Sequence, residues 1–332
     1  MLDPSNWLPA AVDPAEPPRL LVFVDTEEEF DWSKPVDRSS TGVSSMATQG
    51  RAQRIFADYG IVPTYLVDYP VVAQEAGAAP LAEFLADGAC HIGAHLHPWV
   101  TPPHDETVSQ EYSYPGNLPK DLERKKLKTL TDAIAERFGA PPTVYRAGRY
   151  GVGPNTADIL EDLGYMIDTS VVPRSDFGAE HGPDFSYCPI APYWFGKSRK
   201  LLELPLTVEY VGALQRWAPP VYRWASSKLG SSLRLNGVTS RLGLLDRLRL
   251  SPEGISSADH RRLTKALLQR GCRIFSFTYH SPSLMPGGTP YVTTERELER
   301  FLDRFRQYFD YFFGELDGTP STPHAVYKLL ES

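Results

Sequence analysis

From residue 19 to residue 313 the chain alternates short apolar runs with longer amphipathic stretches, and few architectures accept that pattern. Residues 19–24, 61–67, 90–95, 143–145, 165–167, 201–208 and 273–279 are short runs, most of them apolar and β-branched, the signal of buried strands. Residues 119–138, 154–163, 258–269 and 294–313 read instead as helices. In the first of these, Leu127, Leu130, Ile134 and Phe138 recur at spacings of three and four, and Gly139 and Pro141 end it. The last opens with Thr294 and Glu297 as a capping box. It then carries Leu298, Phe301, Leu302, Phe305, Tyr308, Phe309 and Phe312 as one stripe, which predicts packing against a sheet. Strand and helix in alternation imply a parallel sheet. No glycine-rich phosphate turn follows any strand, which removes the dinucleotide folds. With 332 residues and this many units, a closed (β/α) barrel is preferred to an open sheet.

Polar residues gather where the strands end. Asp25 and Glu27 follow the first, His95 and His97 the third, and Arg146, Asp168 and His280 three later ones. In a parallel barrel those ends share one face, where active sites sit. Asp25 and Glu27 are two apart, so both side chains point the same way in an extended segment. Four acids among Asp25, Glu27, Glu28 and Glu29 repel one another unless a cation neutralises part of the charge. His95 and His97 can also face one centre. Carboxylate plus imidazoles is a competent donor set for a divalent ion such as zinc, with a position left for water. The plainer alternatives are a solvated acidic run, a hydrogen-bonded histidine pair, Arg146 and Arg149 as structural ion-pair partners, Asp168 capping a turn with Thr169 and Ser170, and His280 as a loop histidine. Glu203 is a further acid near the same face, whereas His260 and His324 lie in segments that read as exposed.

Five segments together resemble a known family. VFVDTEEEFDW, HIGAHLHPW, YRAGRYG, YMIDTSV and FSFTYHSPSL are similar, in order, to the five motifs of the polysaccharide deacetylases, the NodB-homology group akin to carbohydrate esterase family 4. They span residues 20–315, nearly the whole chain. The resemblance implies a distorted (β/α) barrel of the NodB-homology type. It implies a metal-dependent hydrolase that removes an acyl group, N-acetyl above all, from a carbohydrate. Asp25 would be the base, and Glu27 and His95 metal ligands. The family's second histidine stands four residues after the first, where this chain has Trp99; His97 is the expected replacement, with His104 in reserve, and the HxxxH formed by His91 and His95 is set aside. Arg146, in preference to Arg149, would stand beside Asp25. The expected chemistry is attack by an ion-activated water, with Asp25 taking its proton and His280 protonating the leaving amine while Asp168 fixes the tautomer of His280. Zinc is the first choice of ion, with cobalt, nickel, iron and manganese as alternatives. The expected partner is an acylated saccharide or glycoconjugate. The rival readings are a non-catalytic carbohydrate-binding protein on a degenerate scaffold, an amidase for a non-sugar amide, and a glycosyltransferase holding a metal through its D-x-E.

Charge and cysteine content narrow the setting. A net charge of -7 argues against nucleic acid. Cys90, Cys188 and Cys272 are too scattered for a zinc knuckle or a disulfide framework, and read as buried thiols. There is no signal-peptide pattern and no long apolar run, so the expectation is a cytoplasmic protein. The expected organisation is a tail over 1–18, the barrel over 19–317 with an insertion at about 213–255, and a closing segment over 318–332. The insertion reverses the local sign of charge. Arg216, Arg223, Lys228, Arg234, Arg241, Arg247 and Arg249 stand against Asp246, with Trp217, Tyr222 and Trp224 between them. It is expected to be helical, and to serve as a subunit contact or a surface for an anionic or lipid-linked glycan or a peripheral membrane.

Overall fold

The computed structural model describes residues 2–10, 12–214 and 244–331. Its parallel strands are β2 (Arg19–Thr26), β3 (Thr64–Val67), β4 (His91–Leu96), β5 (Val144–Ala147), β6 (Ile167–Asp168), β8 (Leu201–Glu203) and β11 (Ile274–His280). They lie in the order β8-β6-β5-β4-β3-β2-β11. The antiparallel strands β7 (Tyr193–Phe195) and β1 (Leu8–Pro9) extend the β8 edge, and β12 (Thr319–Pro320) pairs with the start of β2. The N-terminal segment is therefore a wrap, held by Leu8 opposite Trp194 and by Arg273 Nε, which donates to Pro14 O at 2.9 Å.

Strand parity separates two cores. On β2, Leu20, Val22 and Val24 face the helices, whereas Leu21 and Phe23 face the barrel interior with Leu66, Val144, Ile167, Leu202 and Leu204. The helical layer includes α4 (Lys120–Phe138), α6 (Ser257–Leu268) and α7 (Glu295–Phe309). The whole predicted stripe from Leu298 to Phe312 is buried, α7 carrying it to Phe309 and a π-helical segment, Asp310–Glu315, carrying Phe312, and Thr294 caps the helix by accepting from Glu297 N at 3.3 Å. The C-terminal helix α8 (Pro323–Glu331) puts Val326 and Tyr327 into the interior cluster. It closes the end of the barrel away from the polar strand ends. Burial on both faces is why these strands read as continuous apolar runs.

The barrel is distorted because β8 and β11 share no ladder. Residues 201–208, expected as one strand, are broken at Pro205, which has no N–H to give. The chain resumes as β9 (Val208–Val211), paired with β10 (Asp246–Arg249) in an antiparallel ribbon. The root of that ribbon fills the gap: Ser276 N donates to Thr207 Oγ1 at 2.8 Å and Thr278 N to Leu250 O at 3.2 Å. Of the expected insertion, residues 246–249 thus pair with β9, and Glu253 beyond them reaches the barrel mouth at His280. Arg216, Trp217, Tyr222, Arg223, Trp224, Lys228, Arg234 and Arg241 lie outside the described residues.

Two further expectations meet the structure here. Cys90, Cys188 and Cys272 are buried and unpaired. No helix among the described residues is long and apolar enough to cross a membrane.

The loop after β4 is pinned from below. The fully buried Lys126 of α4 donates through Nζ to Pro98 O at 2.8 Å and Thr101 O at 2.7 Å, and pairs with Glu106 at 2.9 Å. Lys126→Met would leave two carbonyls unpaired and the Glu106 carboxylate with Arg38 alone. The expected loss is about 3 kcal/mol, read from urea unfolding. A loss below about 1 kcal/mol would show that other contacts hold the loop.

Candidate metal centre and active site

The same parity that builds the core delivers the polar groups. Leu21 and Phe23 face inward, so Asp25 and Glu27 do too, at the strand's end. On β4, Ala94 and Leu96 face the helices, which turns His95 and the following His97 inward. On β5, Val144 faces inward and so does Arg146, whose guanidinium lies 5.1 Å from the Phe23 ring centre. On β11, Phe275, Phe277 and Tyr279 face the helices, leaving Thr278 and His280 inside. His280 is the register partner of Asp25, and Arg146 that of His95. Gly148 is required beside them, because a Cβ there would sit 2.4 Å from Leu96 O and 2.6 Å from the His97 ring.

Glu27, His95 and His97 form a buried trio. Glu27 Oε2 lies 3.6 Å from His95 Nε2 and 3.5 Å from His97 Nε2. Both imidazoles are preset. His95 Nδ1 donates to Arg146 O at 3.1 Å and His97 Nδ1 to Glu28 at 2.7 Å, which leaves each Nε2 with its lone pair facing Glu27. Burial holds both rings neutral, with pKa values of about 3 for His95 and about 4 for His97. Burial, then the charges of Glu28 and Asp25, pushes the Glu27 carboxyl well above the usual range. Glu27 Oε1 is buried without a hydrogen-bond partner. Lone pairs converging on an orphaned carboxylate oxygen suit a divalent ion, and ligand atoms about 2.1 Å from one tetrahedral ion stand roughly 3.4 Å apart. The residues present fit the group.

Trp99, which departs from the family motif, has a clear place. Its indole stacks on His97, with ring centres 4.2 Å apart, and donates to Glu28 Oε1 at 2.7 Å. Glu28 thereby orients His97 while Trp99 orients Glu28. A second trio, Glu28, Asp68 and His97, also has its donors close together. Hydrogen bonds account for it: Asp68 accepts from Glu28 N at 2.7 Å and caps Val71 N at 2.9 Å. His104 is exposed and outside both trios, so the reserve ligand is withdrawn. His91 lies at the other end of β4, with its ring 5.5 Å from that of His324.

Asp25 is 2% exposed and stands between Arg146 and His280. Arg146 Nη1 donates to its Oδ1, and His280 Nε2 lies 3.8 Å from its Oδ2. Burial raises the Asp25 pKa, but Arg146, His95 and His280 outweigh it and hold the group below the usual carboxylate value.

The expected pairing of Asp168 with His280 does not occur. Ile167 faces the barrel interior, so Asp168 faces the other way. It accepts from Ser170 N at 2.8 Å and Ser170 Oγ at 3.0 Å, and lies in register with Glu203. Glu203, expected at the mouth, is buried there too and accepts from Val171 N at 3.1 Å. The partner of His280 is Glu253, in the loop after β10. Glu253 Oε2 accepts from His280 Nδ1 at 2.9 Å and Oε1 from the His280 N–H at 3.0 Å, while Ser283 Oγ donates to Oε1 at 2.7 Å. Sequence reasoning missed Glu253 because residues 246–249 were assigned to the insertion. Recognised as a strand, they would have placed Glu253 beyond a strand end, like the other site residues. His260, expected to be exposed, is buried, with Nε2 2.8 Å from Ser251 O.

The site opens into a cavity of about 720 Å³ whose lining includes Phe30, Trp32, Tyr114, Tyr150 and Phe177 as well as Asp25, Glu27 and His280. Arg149 lines it while bound to Glu180, and so differs from Arg146, which is fully buried beneath Asp25.

Comparison with known proteins adds the fold. No protein-family model matches the sequence, and no curated protein matches it. Among solved structures the chain is similar to an allantoinase, at 14% identity, over 96% of this chain and 93% of that one, with a TM-score of 0.53. It is similar to the 4-α-glucanotransferase of Thermococcus litoralis at 11% identity, over 94% of this chain and 40% of that one, with a TM-score of 0.50. It is also similar to a peptidoglycan N-acetylglucosamine deacetylase at 9% identity, over 96% and 94%, with a TM-score of 0.47. These likenesses show the fold alone, a distorted (β/α) barrel, as the alternation of strand and helix implied. Proteins of different activity share it, so function has to be argued from the site.

Burial lowers the His280 pKa, but the Glu253 carboxylate and then Asp25 raise it above the ordinary value. Glu253→Gln should therefore lower the His280 pKa, as followed by NMR through a pH titration. An unchanged titration would mean that Glu253 does not set the charge of His280.

Proposed function

We propose that this chain is a metal-dependent hydrolase that removes an acyl group, N-acetyl in the first place, from an amino-sugar unit. One observation carries the reading: an ionised Asp25, flanked by Arg146 and His280, stands beside the buried Glu27–His95–His97 trio at the floor of an aromatic-walled cavity. Glu27, His95 and His97 would hold a divalent ion, which would supply Lewis-acid polarisation of an acyl carbonyl and acidification of a water. Zinc suits two imidazoles and a carboxylate best, and cobalt, nickel, iron and manganese accept the same donors.

The chain's own groups handle the protons. Asp25 Oδ1 is committed to Arg146, so the attacking water loses its proton to Oδ2. Its low pKa keeps Asp25 ready as a base across neutral pH. An amine leaves poorly unless protonated, and His280 Nε2 faces the same space with its proton retained by Glu253 on the far side of the ring. Trp32 meets the His280 ring edge-on at 4.9 Å and, with Tyr114 and Tyr150, offers flat apolar walls to the C–H face of a sugar ring. The degenerate-scaffold alternative rested on Trp99. Here Trp99 supports His97 instead of replacing a ligand, and that speaks for an active site.

Purified protein should carry about one divalent ion per chain, lost in Glu27→Ala and in His97→Ala together with acetate release from N-acetylated saccharides. His280→Ala should keep the ion and lose about 10²–10⁴-fold in kcat. A wild type that cannot be loaded with metal, or a His280→Ala enzyme at full rate, would sink the reading.

The pH profile supplies a second check. His280 must be protonated to act as the acid, so activity falls as pH rises through its pKa. Because Glu253 raises that pKa, the alkaline limb should lie above about 6.5 and move to lower pH in Glu253→Gln. A limb that stays in place would assign the acid to another group.

A further inference from the structure

The loops around the barrel mouth are tied to one another in a closed ring. Arg38 of the loop after β2 donates through Nη2 to Glu106 O at 2.9 Å and Glu106 Oε1 at 3.2 Å, in the loop after β4. Lys126 fixes that Glu106 from below. The loop after β4 is joined to the turn after β5 by Arg149, which donates to Ser113 Oγ at 2.9 Å and lies over the Tyr114 ring at 4.5 Å. The same Arg149 reaches the loop after β6 by donating to Glu180 Oε2 at 2.7 Å. That loop meets β10 where Arg247 Nε donates to Arg174 O at 2.9 Å. Next, β10 meets the loop after β11 where Arg249 Nη2 donates to the Tyr291 hydroxyl at 3.3 Å. Tyr291 closes the ring by packing edge-on against Trp32, back in the loop after β2, with ring centres 5.8 Å apart.

A ring of ties makes a well, whereas a polymer needs a groove. An interior unit of a glycan has neighbours on both sides, and both must leave the site while the unit's acyl group reaches Asp25. Walls from the loops after β2, β4, β5 and β6 and from β10 all line the one cavity of about 720 Å³. That volume falls in the range of about 300–1,000 Å³ that encloses a small ligand. Arginines hold most of the ties, and their planar forks bind in fixed geometry, so little ordering is left to be done when a ligand enters.

We infer that the substrate enters end-on, as a small N-acylated sugar or as the terminal unit of a glycan, and that interior units of a polymer are excluded. This rests on the hydrolase reading above and narrows its substrate class.

The test uses linear N-acetylglucosamine oligomers of one to six units. Binding is measured by calorimetry on metal-loaded Asp25→Asn, in which nothing turns over. The position of the free amine in wild-type products is read by mass spectrometry. Affinity should grow from one unit to two and then change by less than about twofold, and the free amine should appear on an end unit alone. Arg38→Ala, which cuts a tie away from the reacting groups, should raise turnover of the six-unit chain relative to the two-unit one. Affinity that climbs about tenfold between two and six units, or free amine on interior units, overturns the end-on inference and leaves the hydrolase standing. No binding and no acetate from any oligomer overturns both.

Discussion

The mouth of this barrel depends on one buried cation. Arg146 is fully buried, and an unpaired guanidinium in that position would cost several kcal/mol. Its donors are spent on groups from different parts of the sheet. Nε goes to Thr169 O, just past β6, and Nη2 to Thr169 Oγ1. Nη1 goes to Asp25 on β2 and Thr278 on β11. Arg146 on β5 thus clamps both flanks of the barrel across its interior, at the level where β8 and β11 fail to pair. The clamp and the proposed catalytic base are the same interaction. Removing Asp25 would loosen the barrel and, on the proposed mechanism, abolish proton transfer, and replacing Arg146 would leave the buried Asp25 with His280 alone.

The fold was legible because the strands are buried on both faces. Residues 20–24 declare themselves as a continuous apolar run and 274–279 as an aromatic-rich one, and the stripe that begins at Leu298 declares α7 by period. What escaped reading had weak contrast. The helix α1 (Gly50–Asp58) is short, with Ile55 and Phe56 as its only large apolar residues, and α3 (Glu75–Ala86) is rich in Ala and carries Gly77 and Pro80. The ribbon of β9 and β10 was hidden because its second strand, DRLR, carries three charged residues and one leucine inside a basic stretch.

The candidate site was legible to the extent that it obeys period two. Asp25 with Glu27, and His95 with His97, follow from the parity of β2 and β4 and needed no tertiary knowledge. Asp168 was misassigned for want of the same test. Ile167 is the inward residue of β6, so its neighbour turns outward to Ser170 and Glu203. Glu253 could not be found in this way. It reaches His280 from a loop that follows a strand far along the chain, and local pattern carries no trace of a contact between residues 27 positions apart.

The concentration of acids at the mouth sets the final constraint. Asp25, Glu27, Glu28 and Asp68 are all buried within one small region, and four buried negative charges cannot coexist there. Asp25 is answered by Arg146 and His280. Glu28 and Asp68 both have raised pKa values, chiefly from burial, and both are met by donors: Glu28 accepts from His97 and Trp99, and Asp68 from Glu28 N and Val71 N. Glu27 has no basic partner of its own, and its Oε1 makes no hydrogen bond. The two imidazoles beside it are neutral, with their Nδ1 protons already committed to Arg146 O and Glu28. The surroundings satisfy every member of the acidic group except the one at the centre of the trio. Glu27 is therefore the group that a bound cation would complete, and on the proposed reading that binding would add to the stability of the barrel mouth.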